Sequence, residues 1–289
     1  MLEQDSRRRR AARPRRVSAL PDPTSSPKTM PDSLPVIFFG HGSPMIALQT
    51  NAVTETWQRM VRDIPRPRAI LCISAHWCTR GSAVTAMTAP RTIHDFGAFP
   101  RALFEVQYPA PGSPALAERV RELLAPKPVL LDRSAWGLDH GTWSVLVKLY
   151  PQADIPVVQL SLDATQPPAH HFELGRLLAP LRDEGILLVG TGNIVHNLGV
   201  MNWGLEGQGY DWAERFNAYV RNALSENQPQ RLIDYPDAGE DAEMSVPTPE
   251  HYLPLLYVAG ARRPEDRLRF DNDHIEYGSV GMTSVSFGA

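Results

Sequence analysis

Residues 35–44 read PVIFFGHGSP and residues 67–77 read PRAILCISAHW, and each stretch is an apolar run that leads to a histidine. Runs rich in Ile, Phe and Leu are typical of strands that are buried on both faces of a sheet. An imidazole at the carboxyl end of such a strand needs a partner, because a buried ring nitrogen without one costs free energy. The two stretches therefore predict a buried sheet with a polar site at one edge.

Strand-like and helix-like segments alternate along the rest of the chain. Strands are predicted at GSAVTAM, PVLLD, IPVVQLSLD, GILLV and GSVGMTSVSFG, and the first of these is expected to pair with residues 67–77. Helices are predicted at NAVTETWQRMVRDI, ALAERVRELLA, HGTWSVLVKLY, PPAHHFELGRLLAPLRDE, DWAERFNAYVRNALS and TPEHYLPLLYVAGA. This alternation indicates the α/β class, with a single domain around a central, largely parallel mixed sheet and helices on both faces.

Three strand-like runs end in histidine, at His41, His76 and His196. Ligands of open α/β sheets bind outside the carboxyl ends of the strands, so we expect the three rings to converge there. Neutral imidazole is a common ligand of zinc, iron and copper, and the pattern therefore favours a metal site. A single histidine that caps its strand by bonding a backbone carbonyl is the simpler alternative at each position taken alone.

The other histidines differ in their surroundings. His94, His140 and His251 each lie next to Asp, Glu or Gly at the boundary of an element, and they are further candidates for the site. His170 and His171 lie on an amphipathic helix with no turn residues nearby, so they are predicted to face solvent.

The first thirty residues differ in kind from the rest, with eight Lys/Arg, three Asp/Glu and many Pro and Ser. We expect residues 1–30 to form a disordered Arg-rich tail and residues 31–289 to form the catalytic domain. A targeting address or an untranslated stretch before Met30 is the alternative, although no apolar segment follows the arginines. These thirty residues carry a net charge of +5, whereas the whole chain has a net charge of −3. The rest of the chain therefore carries −8, and nucleic acid is not an expected partner of this acidic domain.

The remaining composition is that of an ordinary protein of a reducing compartment. No apolar stretch is long enough to cross a bilayer, so no membrane partner is expected. The chain has two cysteines, Cys72 and Cys78, which is too few for a disulfide framework. We expect a cytoplasmic protein that is a monomer or a small homo-oligomer.

Several motifs of common enzymes are absent from the sequence. It has no HExxH for a zinc peptidase, no GxSxG for a serine hydrolase and no GxxxxGK for a phosphate loop. The segment GTGNIV follows a strand but lacks the third glycine of a dinucleotide-binding turn. Serine hydrolysis, phosphoryl transfer and hydride transfer are therefore disfavoured.

Seven motifs in order resemble those of one family. They are GHGSPM, SAHW, TIHDFGAFP, YPAPGSP, DHGTW, GTGNIVHNLG and PTPEHYLPLLYVAGA. Together they resemble the DOPA dioxygenase branch of the class III extradiol ring-cleaving dioxygenases, which are relatives of the catalytic subunit of protocatechuate 4,5-dioxygenase. The resemblance runs from about Leu34 to Phe287, so only the tail lies outside it.

The resemblance implies roles for particular histidines. His41 and His76 match the first two metal ligands, and His251, on the predicted helix of PTPEHYLP, matches a third where more distant relatives use glutamate. His196 matches a residue that is either a further metal ligand or the acid/base beside the metal. His140 matches a second catalytic histidine near the substrate.

The resemblance also implies a substrate-side loop and a reaction. His94, Asp95 and Phe96 match the loop that lies beside the substrate. The implied reaction opens the ring of a catechol such as DOPA with O2 to give a semialdehyde, and Fe(II) is the expected cofactor. Zn(II) is plausible in the isolated protein, but zinc has no redox change to offer.

Two other functions fit the same histidines. A zinc-dependent hydrolase would use them to lower the pKa of a bound water. A protein that binds a metal or a phenol without turnover would use them for sequestration. The order of the motifs favours the dioxygenase over both.

Overall fold

The computed structural model describes residues 33–288, which contain ten strands and nine helices. The strands are β1 (Val36–Gly40), β2 (Ala69–Thr79), β3 (Ser82–Thr85), β4 (Val129–Asp132), β5 (Val157–Asp163), β6 (Ile186–Gly192), β7 (Arg267–Asp271), β8 (Ile275–Glu276), β9 (Val280–Gly281) and β10 (Ser284–Gly288). The helices are α1 (Ala52–Arg62), α2 (Arg101–Phe104), α3 (Pro114–Leu124), α4 (His140–Leu149), α5 (Pro168–Leu178), α6 (Asp211–Ser225), α7 (Pro229–Ile233), α8 (Glu240–Ser245) and α9 (Leu253–Gly260). The predicted tail of residues 1–30 and its boundary with the domain lie outside the described residues.

Eight of the strands form one sheet in the order β4-β3-β5-β2-β6-β1-β10-β7. Its centre is parallel, because β5, β2, β6 and β1 all run in one direction. At one side β10 and β7 are antiparallel additions, and at the other β3 meets β5 in antiparallel contact and pairs with β4 in parallel. Strands β8 and β9 form a separate antiparallel pair. The prediction of a largely parallel mixed sheet is confirmed.

Alternate residues of β1 point into two apolar layers. Val36 and Phe38 pack in the layer built with helices α3, α5, α6 and α9, whereas Ile37 and Phe39 pack in the layer built with α1 and α4. All four side chains are buried. Since helices cover both faces of the sheet, the strand needs apolar residues at every position, which explains its continuous apolar run.

Side-chain caps fix where two of the helices begin. Ser113 accepts a hydrogen bond from the Leu116 N–H at 3.2 Å, and Pro114 occupies the first position of α3. Asp139 accepts a hydrogen bond from the Thr142 N–H at 3.1 Å, which caps α4. The cap on α4 makes His140 the first helical residue, at the edge of the sheet where β2 and β6 end.

The predicted pairing of GSAVTAM with residues 67–77 is wrong. Strand β3 lies between β4 and β5, because β5 and β6 already occupy both edges of β2. The segment GSVGMTSVSFG forms two strands rather than one. Between β9 and β10, Met282 and Thr283 leave the ladder to bond the His274 carbonyl and the Asn217 side chain.

The prediction that His171 faces solvent is also wrong. Its side chain is buried between α5 and α9, and its Nδ1 lies 3.2 Å from the Tyr257 hydroxyl. Burial, with a smaller effect of the neighbouring His170, lowers the pKa of His171 to about 4. Its imidazole is therefore neutral in the folded protein near neutral pH.

Stability should fall as the pH falls from about 6.5 towards 4, because the unfolded chain takes up a proton that folded His171 does not. The usual histidine pKa of 6.5 in the unfolded chain and the folded pKa of about 4 give a loss of about 2 kcal/mol from this residue between about pH 8 and pH 5. Urea unfolding at both pH values should show a smaller loss for His171→Gln than for the wild type. His170→Gln, at a partly exposed position, should change the loss less. Equal losses of stability in the wild type and His171→Gln would show that the lowered pKa of His171 does not contribute to the pH dependence.

Among residues 33–288, no helix combines the length and the apolar character that crossing a membrane requires.

Candidate metal centre

The first two candidate histidines lie at the carboxyl edge of the parallel strands. His41 directly follows β1, and its N–H donates to the Gly192 carbonyl at the end of β6 at 3.1 Å. His76 lies inside β2 rather than at its end, contrary to the prediction. The register of β2 against β5 shifts between Ile73 and Cys78, so the intervening residues leave the regular ladder. This irregularity places His76 in the site although the strand continues past it.

The other two come from segments that follow β6 and precede α9. His251 lies in the turn before α9, not on the helix as predicted, and its carbonyl accepts from the Asn193 N–H at 2.8 Å. His196 lies four residues beyond β6, where its N–H donates to the Ser245 carbonyl at 2.8 Å and it pairs with Val280. Main-chain hydrogen bonds therefore fix both segments.

The structure brings five of the predicted histidines together. The Nε2 atoms of His41 and His76 are 3.1 Å apart, and one ring nitrogen of each of His41, His76 and His251 lies within 4.8 Å of the other two. The His196 ring stacks on that of His251 with centroids 3.5 Å apart, and the His140 ring lies 3.8 Å from that of His76. The predicted convergence is confirmed.

Four rings of this cluster, those of His41, His76, His196 and His251, are neutral near neutral pH. Burial, then the neighbouring imidazoles, lowers the pKa of His41 and His76 well below the usual range. Burial followed by the effect of His251 lowers the pKa of His196 to about 3, and burial lowers that of His251 despite the nearby Glu250. Neutral imidazoles keep the lone pairs that a metal ion requires. Ring nitrogens that lie close together and resist protonation can act as ligands of a divalent metal ion.

A carboxylate lies against each side of the cluster. The Glu250 Oε1 atom is 3.3 Å from the Nδ1 of His251 and accepts a hydrogen bond from the Thr248 hydroxyl at 2.7 Å. Partial burial opposes ionisation of Glu250, but these partners bring its pKa to about 2. A carboxylate behind a histidine orients the ring and raises its basicity towards a metal. Glu250 was not a predicted site residue, although its place beside His251 was the available signal.

Asp95 binds His140 at two points. Its Oδ1 accepts from the His140 N–H at 2.9 Å, and its Oδ2 lies 2.9 Å from the His140 Nδ1. Oδ2 is also 3.7 Å from the Nδ1 of His76. Burial favours the neutral carboxyl, but the contacts with His140 hold the pKa of Asp95 below its usual range. The Asp95 carboxylate therefore fixes the start of α4 relative to the site.

A buried polar network lies behind His76 and His140, and sequence patterns gave no sign of it. The Ser74 hydroxyl donates to the Asp139 Oδ1 at 2.7 Å and accepts from the His76 N–H at 3.2 Å. The side chain of Gln159 also bonds Asp139. Asp139 therefore connects the strand that carries His76 with the helix that His140 begins.

Two glycines allow the close approach of these segments. A Cβ on Gly141 would lie 2.6 Å from the Cδ2 of His76 and would also overlap the Ser74 hydroxyl. A Cβ on Gly192 would overlap the carbonyl oxygen of His251. Any larger residue at either position would displace a candidate ligand, so the glycines are required by packing.

The loop after β3 forms an aromatic wall beside the cluster. Phe96 packs edge-on against His140 with centroids 5.4 Å apart, and it also contacts Phe99, Phe104 and Trp143. His94 lies behind Phe96, where its Nε2 donates to the Val106 carbonyl at 2.9 Å. This hydrogen bond closes the loop, and Phe96 adds an aromatic contact with the histidine cluster to the polar contacts of Asp95.

Comparison with known proteins gives the family. Residues 36–288 match the model of the catalytic LigB subunit of aromatic ring-opening dioxygenase. The chain belongs to the LigB family. This LigB chain is 55% identical over 258 residues to the 4,5-DOPA dioxygenase extradiol of Escherichia coli K12, an alignment that covers 88% of this chain and 95% of that protein. It is 36% identical to the 4,5-DOPA dioxygenase extradiol of Beta vulgaris, over 86% of this chain and 96% of that one.

A solved structure supports the same fold for this LigB chain. It is the crystal structure of an uncharacterized protein from Escherichia coli K12, with a TM-score of 0.77 and 50% sequence identity. The alignment covers 88% of this chain and 100% of that one. The resemblance described from the sequence is thus confirmed: this LigB chain is a metal-dependent extradiol aromatic ring-opening dioxygenase that acts on catechols.

Proposed function

We propose that this LigB dioxygenase opens the ring of DOPA or a closely similar catechol, inserting O2 to give a semialdehyde. The observation that carries the proposal is the convergence of His41, His76 and His251 on one point, with a ring nitrogen of each within 4.8 Å of the others. The names of the relatives from Escherichia coli and Beta vulgaris support DOPA as the substrate.

His41, His76 and His251 are the metal ligands in this proposal. Their rings are buried and neutral, and Glu250 lies at the Nδ1 of His251 to hold that ring in place. Three protein ligands would leave open positions on the metal for the catechol oxygens and for O2. Fe(II), when bound, supplies the electron transfer between catechol and O2 that Zn(II) lacks.

His196 would either complete the ligands of the metal or take a proton from the catechol. Its ring stacks on His251, and its low pKa leaves it unprotonated before substrate binds. A catecholate oxygen nearby brings negative charge, which favours the protonated imidazole and so assists the transfer. A base within hydrogen-bond reach of the catechol hydroxyl is what the first proton transfer requires.

His140 acts from the other side of the cluster in this proposal. The Asp95 carboxylate contacts its Nδ1 and its main-chain N–H, so the Nε2 edge of the ring is left for substrate or oxygen. When Asp95 holds the Nδ1 proton, the Nε2 of the neutral ring accepts a hydrogen bond, and the protonated ring can donate one to a developing oxygen anion and then transfer the proton.

The substrate-side loop contains His94, Asp95 and Phe96. Phe96 and its aromatic neighbours give the catechol ring an apolar surface, and the contacts favour edge-to-face or offset packing. His94 keeps the loop closed through Val106, and Asp95 acts on the substrate through His140. The loop therefore orients the ring while the histidines handle protons.

The test is oxygen consumption by Fe(II)-loaded protein. Anaerobic protein with DOPA should form a complex without product, and admitting air should give a yellow ring-opened product with one O2 consumed per ring. Tyrosine, which lacks the second hydroxyl, is the matched control and should consume no O2. If neither DOPA nor any other ortho-diol in a panel causes oxygen uptake, the proposed function is wrong.

A further inference from the structure

Asn193 connects three separate segments of the main chain. It directly follows β6 and is buried, with 1% of its surface exposed. The Nδ2 group donates to the carbonyl of Gly281 at 2.8 Å and also to the carbonyl of His41. The Asn193 main-chain N–H donates to the carbonyl of His251 at 2.8 Å. One residue therefore bonds the backbones of two proposed metal ligands and of β9.

A further main-chain contact joins β9 to the segment of His196. The N–H of Gly281 donates to the Val195 carbonyl at 2.8 Å, and His196 pairs with Val280 in an antiparallel bridge. Asn193 lies in the same segment as His196, so its bond to Gly281 supports the contact of that segment with β9. His76 is outside this set, because its segment is held by Ser74 and Asp139.

Only an amide of this length can make these side-chain bonds. The NH2 group has two hydrogens, and each goes to a different carbonyl oxygen, which accepts but cannot donate. The reverse orientation would place the Asn193 oxygen against both carbonyl oxygens, so the partners fix the orientation of the amide. A carboxylate there would put buried negative charge beside two carbonyl oxygens and lose both bonds.

We propose that Asn193 is a positioning residue that sets the spacing of His41, His251 and His196 before the metal binds. The ligands come from segments more than 50 residues apart in sequence, and their arrangement would otherwise have to be ordered at the moment of binding. Prior ordering reduces that entropic cost and favours the geometry that the metal requires. The proposal depends on the proposed function only for the assignment of these histidines as metal ligands.

The experiment measures metal binding by Asn193→Asp in the full-length protein. The dissociation constant for Zn2+ is obtained by competition with a chromophoric chelator, and the visible spectrum of the Co2+ form reports ligand geometry. We expect affinity to fall by about 10–100-fold, with altered Co2+ bands. Asn272→Asp is the control, because Asn272 likewise donates from Nδ2 to a carbonyl, that of Val53 at 3.1 Å. It should retain wild-type affinity and bands.

Asn193→Ser is the second variant, because it keeps one donor and introduces no charge. It should fold, and its Zn2+ affinity should lie between those of the wild type and Asn193→Asp. Wild-type affinity and Co2+ bands in either folded variant would overturn the proposal. So would the failure of both variants to fold with saturating Zn2+, since Asn193 would then serve the fold rather than the site. This experiment measures metal binding and uses no catechol. If the wild-type protein binds metal but gives no oxygen uptake with any catechol, the proposed function is wrong and the proposal for Asn193 still stands.

Discussion

Replacing His41, His76 or His251 by alanine should abolish stoichiometric metal binding and, with it, ring cleavage. Each change removes one of few ligands, and the remaining nitrogens are fixed by main-chain hydrogen bonds and by Glu250 and Asp95. A metal ion cannot recruit a substitute from segments held in this way. Metal content after dialysis against a defined Fe(II) or Zn(II) concentration is the measurement.

The comparison needs variants that change a histidine without removing a ligand. His171 lies in the buried contact between α5 and α9, so His171→Gln should keep full metal content. His94→Ala should also keep the metal but raise the KM for catechol, because it opens the loop held at Val106. His196→Gln changes a residue that is either a further ligand or the base, and it should keep more metal than His251→Ala. Full occupancy in His251→Ala would contradict the assignment of the turn before α9.

Elements with a strong local pattern were predicted well. Helix α6 covers the segment DWAERFNAYVRNALS, because its buried residues recur at helical spacing and form one stripe. Strand β1 was equally clear, since its five residues are all buried. In such segments the local pattern and the tertiary burial agree, so the sequence alone suffices.

The pairing of the strands and the register shift within β2 could not be predicted from local sequence patterns. The neighbour of β3 depends on which strands occupy the edges of β2, and that information lies some 75–120 residues further along the chain. Strand β7, RLRFD, is a partly exposed edge strand in which charged and apolar residues alternate. It therefore lacks the apolar run that marks a central strand. The shift within β2 that moves His76 into the site likewise depends on its pairing with β5.

The convergence of the histidines was predicted, whereas the supporting residues Asn193, Asp139 and Glu250 were not. A histidine that follows an apolar run, such as His41 between two glycines, gives a signal in sequence because its residue type and position are both unusual. Asn193 and Asp139 act through hydrogen bonds to main chain and to distant side chains, which leave no spacing pattern. His171 gave the opposite error, since its burial comes from packing against Tyr257 on α9.

Exchanging Fe(II) for Zn(II) should stop oxygen consumption completely while the catechol complex remains. The neutral nitrogens of His41, His76 and His251 suit either ion, so the exchange should leave the site occupied. Zn2+ can bind and polarise a diol, but it has no accessible redox change through which ring and O2 could react. Catechol binding to the zinc form should be visible as a shift in the ultraviolet spectrum of the catechol.

The decisive measurement is a pair of oxygen-electrode traces from the same apoprotein loaded with each metal. Equal metal content and equal catechol binding in both samples would assign any difference in uptake to the metal's chemistry rather than to its occupancy. Returning Fe(II) to the zinc sample after chelation should restore uptake, which excludes damage during exchange. A catechol-dependent product from the zinc form without oxygen uptake would overturn Fe(II) ring cleavage and favour a hydrolytic reaction, in which the same histidines lower the pKa of a bound water.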